Sequence, residues 1–364
     1  MKLNSSMKKT IRLLVVQRIS LSHDLLLSRS ISARFLPLLC YMKRHNLIEW
    51  EEIPEHDVSI GELRRFDAVL FNKHSSTRAL DIMETANDLG MRTIYDLDDW
   101  IMDLPSYSVT NLNDDLLANI FKMVKESTIV TVSNSFLKEK LKRTGASTKI
   151  LPNGFDHELF ESRSGIWKES NPPKILFSNT DGIKLVHFKQ DFLSVVSEFM
   201  MNHPDVRLEF WGDPFPEMGL IPNLVPRGFL ENTQYKLSIR DAGYLFAIIP
   251  LGGEEDPDSL FFNKCKTPIK YIDYGSLGIP GIYSKSPVYE EVVTHRKTGY
   301  LIPNERFAWC EAMNELYNDP SQRNLLRTNA YADTIGRFNI SSCADIFHKI
   351  LVDPIISDCH GLIK

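Results

Sequence analysis

Lys266 and Lys270 stand four residues apart, with Asn263 and Thr267 beside them and Asp273 further on. On one helical face the two ammonium groups would meet a doubly charged group such as a diphosphate together. Asn263 and Thr267 would add hydrogen bonds, and the helix start would add free N–H groups. Asp273 can accept two hydrogen bonds from a vicinal diol. A plain solvated helix face carries the same residue types, so both readings stand. A second cluster, Asp96, Asp98 and Asp99, follows a short apolar run. Three acids at this spacing make no recognisable metal site, and no metal is expected. They suit the orientation of a hydroxyl, the holding of a cation, or the capping of a helix.

These residues need a scaffold that sets them at strand ends. Apolar runs at Ile11 to Val16, Ala68 to Phe71, Thr93 to Tyr95, Ile129 to Val132 and Lys149 to Leu151 read as buried strands. Between them, helices are expected over Ser32 to His45, Thr77 to Leu89 (closed by Gly90), Asp115 to Lys125 and Ser135 to Thr144. The alternation lapses from Glu161 to Pro173. It resumes with strands at Ile175 to Ser178, Arg207 to Trp211, Tyr244 to Ile249, Gly281 to Ser284 and Tyr300 to Ile302. Alternation of this kind predicts an α/β protein with parallel sheets covered on both faces. The length, 364 residues, suits two such domains. The expected division is 1–162, a linker at 163–173, 174–335, and a last helical stretch within 336–364. Ligands of open parallel sheets sit beyond the carboxyl ends of strands, which makes a cleft between the two domains the expected site.

Several functions are excluded by what is missing. The formal net charge of −5 argues against nucleic acid as a partner. The first glycine is Gly61, so the loop after the first strand cannot be the glycine-rich turn of a dinucleotide dehydrogenase, and no Walker-type loop occurs. No signal peptide or membrane span is expected. The five cysteines are scattered, as suits reduced thiols, and a cytoplasmic location is the expectation. Lys2, Lys8, Lys9, Arg12 and Arg18 make the first stretch basic, which fits either a solvated terminus or peripheral contact with the inner face of an anionic membrane.

Three segments carry a family resemblance. Val132-Ser-Asn-Ser135 leads to Leu151-Pro-Asn-Gly-Phe-Asp156. Lys270-Tyr-Ile-Asp-Tyr-Gly-Ser-Leu-Gly-Ile-Pro-Gly-Ile-Tyr-Ser284 has a helix, a tight turn and a strand. Glu290-Glu-Val-Val293 is followed by Lys297-Thr-Gly-Tyr-Leu301. In order and spacing these resemble the GT-B glycosyltransferases, in particular the retaining glycosyltransferase family 4. Phe66 to Phe71 followed by Tyr95-Asp-Leu-Asp-Asp-Trp100 is similar to members that build bacterial surface polysaccharides. The chain departs from the family at its paired glutamates: Asp273 aligns with the second, and Cys265 falls where the first would be.

The resemblance implies two Rossmann-like domains whose sheets face an interdomain cleft, with the last helix packing back on the N-terminal domain through Ile346, Ile350 and Leu351. It implies transfer of a sugar from a nucleotide-sugar donor, itself a substrate, to a saccharide or lipid-linked glycan acceptor, with no cofactor. Lys266 and Lys270 would face the departing diphosphate, Asn263 and Thr267 would assist, and Asp273 would hold the ribose. Thr180, Gly182 and Lys184 would lie by the phosphates, and Phe229 and Leu230 would frame the base. On the N-terminal side, His74 would contact the donor sugar. Asp98, with Asp96 and Asp99, would orient the acceptor hydroxyl, and Arg34 would meet an acceptor phosphate. Alanine at Lys266, Lys270 or Asp273 is expected to leave folding intact. Two alternatives stay open: a non-catalytic GT-B subunit and a nucleotide-sugar epimerase.

Overall fold

The computed structural model describes residues 10–18, 29–104, 112–160, 167–179, 185 and 187–353. The described chain forms two compact units. One takes in residues up to Met102, those from 112 to Pro152 and those from Ser341 on; the other takes in Asp103 and Leu104 and runs from Asn153 to Ile340.

The first unit is built on β1 (Ile11–Gln17), β2 (Ile48–Pro54), β3 (Ala68–Asn72), β4 (Arg92–Leu97), β5 (Ile129–Val132) and β6 (Thr148–Ile150). They form one sheet in the order β2-β1-β3-β4-β5-β6, with every pairing parallel. The second holds β7 (Lys174–Ser178), β8 (Arg207–Trp211), β9 (Leu224–Gly228), β10 (Phe246–Ile249), β11 (Gly281–Ser284) and β12 (Tyr300–Ile302). Their order is β12-β11-β10-β7-β8-β9, again all parallel. The α/β expectation holds for both halves. Strands such as β1, β3 and β10 have apolar middles because helices cover both faces, and Leu13 to Val16 are fully buried.

Strand order reverses between β1 and β3 in the first sheet and between β7 and β10 in the second. At such a point the connections leave in opposite directions and open a crevice beyond the carboxyl ends of the two strands. The polar residues after β3 and after β7 are therefore placed at the crevice of their own unit.

Two features differ from the sequence expectation. β2, with Glu49 and Glu51 exposed, is an additional strand at the sheet edge. Its acidic side chains dilute the apolar pattern, and an edge strand tolerates them because one side meets solvent. The described end of the expected linker is laid onto the second unit. Glu169 pairs with Arg323 at 2.6 Å and Arg327 at 2.8 Å, and Ser170 N–H donates to the Gly243 carbonyl at 2.9 Å. The helix Ile340–Val352 belongs to the first unit: Phe347 is fully buried with its ring 5.7 Å from Phe35, and Ile350 and Leu351 are buried while Ile346 is half-buried.

Candidate functional site

In the second unit, the crevice is framed by the end of β7 and the helix Ile269–Ser276. Lys270 Nζ donates to the Ser178 carbonyl. One turn further on, Tyr274 hydroxyl meets Ser178 Oγ at 2.7 Å and Tyr235 hydroxyl at 2.9 Å. An ammonium has three donors, and among the described residues that of Lys270 finds only this one acceptor, Ser178, which leaves two donors for an incoming anion. Burial, reinforced by the nearby Lys266 cation, pulls Lys270 down to about 8. Such a lysine gains charge stabilisation when a phosphate arrives.

The loops around Lys270 are tightly set. Gly212 has φ +126°, and a Cβ there would lie 1.9 Å from the Asn179 carbonyl oxygen, so the turns after β7 and β8 touch backbone to backbone. After β10, Asn263 Nδ2 donates to the Gly252 carbonyl at 2.8 Å. Asn263 Oδ1 and Thr267 Oγ1 are buried without a hydrogen-bond partner among the described residues. Asp256 caps the helix Pro257–Lys264 by accepting from Ser259 N–H at 3.3 Å.

The arrangement corrects one expectation. Lys266 and Lys270 do not share a helical face. Pro268 lacks an N–H and interrupts the helix, so Lys266 lies in the connection between Pro257–Lys264 and Ile269–Ser276, with its ammonium 4.8 Å from the Phe262 ring centroid. Asp273 is not a surface acid either. It is buried, and Lys236 Nζ stands 2.8 Å from its Oδ1. Burial raises the Asp273 pKa and Lys236 opposes that, with burial the stronger. Phe229 and Leu230 follow β9 and are exposed. Thr180, Gly182 and Lys184 lie outside the described residues.

In the first unit, the crevice is lined by residues at the ends of β3 and β4 and just beyond them. Asp96 is fully buried and takes Arg34 in a bidentate pair at 2.9–3.1 Å, Asn72 Nδ2 at 2.9 Å and Thr131 Oγ1 at 2.6 Å. Burial lifts the Asp96 pKa above its ordinary value despite Arg34. Asp98 is different. Lys73 Nζ stands 3.0 Å away and Asn72 Nδ2 donates at 3.2 Å. Burial pushes Asp98 up, but Lys73 and then Arg34 outweigh it and hold the carboxyl below its ordinary value. The cluster thus separates into a carboxylate committed to internal partners and one kept ionised at the crevice. Asp99 also pairs with Lys73, at 3.3 Å. Arg34 is committed to Asp96 within the core, because a buried guanidinium needs a buried carboxylate.

His74 is fully buried behind β3, with neither ring nitrogen hydrogen-bonded among the described residues. Burial and then the Arg18 cation push it down to about 3, and the nearby Asn72 backbone opposes them only weakly. It is therefore neutral near pH 7, and at 0% exposure it does not present its ring at the surface of the crevice. Asn72, Lys73, Thr131, Lys236, Tyr235 and Tyr274 join these clusters without having been given a role from the sequence, and Arg18, read there only as part of a basic stretch, donates to the Lys73 carbonyl at 3.2 Å. The signal for the first two is the polar Asn72-Lys-His74 directly after an apolar strand. Among the described residues no group of side chains could hold a metal ion, and no helix is long and apolar enough to cross a membrane.

No protein-family model matches the chain, and no curated protein does. Solved structures do. HepE of Anabaena in complex with UDP-glucose is similar over 94% of this chain and 99% of its own, with TM-score 0.61 and 16% identity. A glycosyltransferase from Rickettsia africae matches over 95% and 100%, with TM-score 0.61 and 12% identity. A Listeria monocytogenes protein described as a UDP-N-acetylglucosamine 2-epimerase matches over 94% and 96%, with TM-score 0.57 and 10% identity. At these identities the likeness is one of fold: the chain has the two-domain α/β architecture of its GT-B neighbours.

Proposed function

We propose that this chain is a nucleotide-sugar-dependent glycosyltransferase, hexosyltransferase-like and retaining, that acts on a saccharide or lipid-linked glycan acceptor in surface-polysaccharide assembly. The observation that carries the reading is Lys270, a half-buried cation at the crevice of the second unit with two donors unpartnered among the described residues. In the reaction the bond from sugar C1 to the β-phosphate oxygen breaks and the acceptor oxygen bonds to C1. The acceptor proton leaves with the departing diphosphate. Negative charge grows on that diphosphate, and a fixed cation beside it lowers the barrier without covalent chemistry. Support comes also from the fold, shared with a protein that holds UDP-glucose. UDP-sugars are therefore the first donors to test.

The fold alone does not choose between transfer and epimerisation, since an epimerase shares it. Incubation of the chain with UDP-, GDP- and TDP-sugars, with and without glycan acceptors, separates the readings. Acceptor-dependent release of nucleoside diphosphate with a new glycan product supports transfer. An epimerised sugar without a glycan product replaces transfer with epimerisation. A chain that binds no donor is a non-catalytic subunit.

A further inference from the structure

The second unit has a cavity of about 70 Å³ at the other end of its sheet, where Gly243 and Tyr244 lead into β10 and Leu277 to Ile279 lead towards β11. This is the amino-terminal edge of the strands, opposite the crevice that holds Lys270. The space equals two or three waters of liquid volume, or one small oxyanion.

Its lining is cationic. Lys168, Arg240 and Arg327 face it against a single carboxylate, Asp241. The Arg240 side chain is 9% exposed, and its Nε donates to Asp241 Oδ2 at 2.8 Å. Its two terminal nitrogens have no partner among the described residues. Arg327 is 3% exposed and donates to the Tyr244 carbonyl at 3.0 Å. Its carboxylate, Glu169, is shared with Arg323. One carboxylate between two guanidiniums leaves positive charge uncompensated. Burial lowers the Arg327 pKa, Glu169 opposes this and Arg323 adds to it, and the balance falls below the ordinary arginine value.

A simpler reading is that the cations neutralise the carboxyl ends of the helices Asn232–Arg240 and Ile269–Ser276, which end here. Each helix end is worth about −0.5 charge, about −1 together. The lining residues carry two positive charges in excess, so the dipoles neutralise only half. The pocket is also a built one. Gly243 and Gly278 have φ of +74° and +67°, and any Cβ would strike the 168–170 backbone or the Trp167 indole that close over them.

We propose that this cavity is a second anion site, separate from the donor crevice, that takes a single phosphate group, either free or carried on a small metabolite. Arg240 offers its two unpartnered N–H groups, Lys168 reaches in from the exposed side, and Trp167 walls the site.

The test is calorimetric titration and thermal melting with inorganic phosphate and with a hexose monophosphate, at fixed ionic strength and against chloride. Four proteins are compared: wild type, Arg240→Gln, Lys168→Ala and Lys270→Ala. Phosphate binds the wild type and still binds Lys270→Ala, in which the donor crevice has lost its cation and the cavity has not. It binds Arg240→Gln about tenfold or more weakly, the size of one lost charge-assisted hydrogen bond. Lys168 is exposed, so Lys168→Ala folds and gives a second weakened variant should Arg240→Gln misfold. A hexose phosphate that binds more tightly than inorganic phosphate identifies a metabolite as the ligand; equal binding identifies free phosphate. The proposal falls if phosphate does no more than chloride, if Arg240→Gln and Lys168→Ala bind as the wild type does, or if binding is lost in Lys270→Ala instead. The site does not depend on the transfer reading, and failure of either leaves the other intact.

Discussion

In the proposed reaction the chemistry turns on Lys270, and its protonation gives a pH signature. Held at about 8 by burial and Lys266, it loses its proton just above neutrality. The kcat/KM for donor reports the free enzyme, so it should fall along a basic limb near pH 8. Lys270→Arg, charged throughout, should lose that limb. A limb that persists unchanged in Lys270→Arg removes Lys270 as its origin. The stability linkage has a definite sign. Between about 8 and the ordinary lysine value the unfolded chain binds more protons than the folded one, so this group makes stability rise with pH there. Asp273 gives a prediction opposite to the sequence expectation. Asp273→Ala strands the Lys236 ammonium, 3% exposed and 5.2 Å from the Phe155 ring centroid. Urea unfolding should show a loss of about 3–5 kcal/mol. Adding Lys236→Met should recover most of it, and a single variant as stable as the wild type would mean that the pair is not formed. The residue types were legible in the sequence, but burial was not. A carboxylate looks the same in a string whether solvent or a lysine from another helix neutralises it.

At the scale of elements, the sequence told most where the pattern was strongest. Buried strands such as Ile129–Val132 appear as uninterrupted apolar runs because both faces are covered. Two elements were hidden for physical reasons. Acidic β2 gives no clear strand pattern because its edge position relaxes it, and Pro268 splits what lysine spacing suggested as one helix. The turns carry a further constraint that no periodicity reveals. At Gly212 the backbone has φ +126°, and a Cβ would overlap the Asn179 carbonyl. Gly212→Ala must displace the turn after β7, which leads from Ser178, the partner of Lys270. We expect a strained backbone to cost about 1–3 kcal/mol before the overlap is counted. A lowered melting temperature and weaker nucleotide binding should occur together. Unchanged nucleotide affinity in a clearly destabilised variant would separate this turn from the donor site.

The molecule consists of two units that repeat one architecture: each has six parallel strands, one reversal of strand order, and a polar cluster beyond it. The second unit presents a cation, Lys270, suited to a diphosphate, and the first presents an ionised carboxylate, Asp98, suited to a hydroxyl. If these are the donor and acceptor halves of one reaction, their variants should fail in different ways. Lys270→Ala should weaken nucleotide binding and cut turnover by about a hundredfold, the size of one lost electrostatic contact. Asp98→Asn removes the charge but keeps the shape and one acceptor for Lys73, so nucleotide affinity should stay near that of the wild type. Its turnover should nonetheless fall about a hundredfold, as when a group that orients the reacting hydroxyl is lost. The comparison needs only nucleotide titrations and initial rates on the intact chain. Loss of nucleotide affinity in Asp98→Asn to the extent seen in Lys270→Ala would end the division into donor and acceptor halves. Full turnover in Asp98→Asn would remove the acidic cluster from the chemistry, leaving Asp98 as a partner of Lys73 alone.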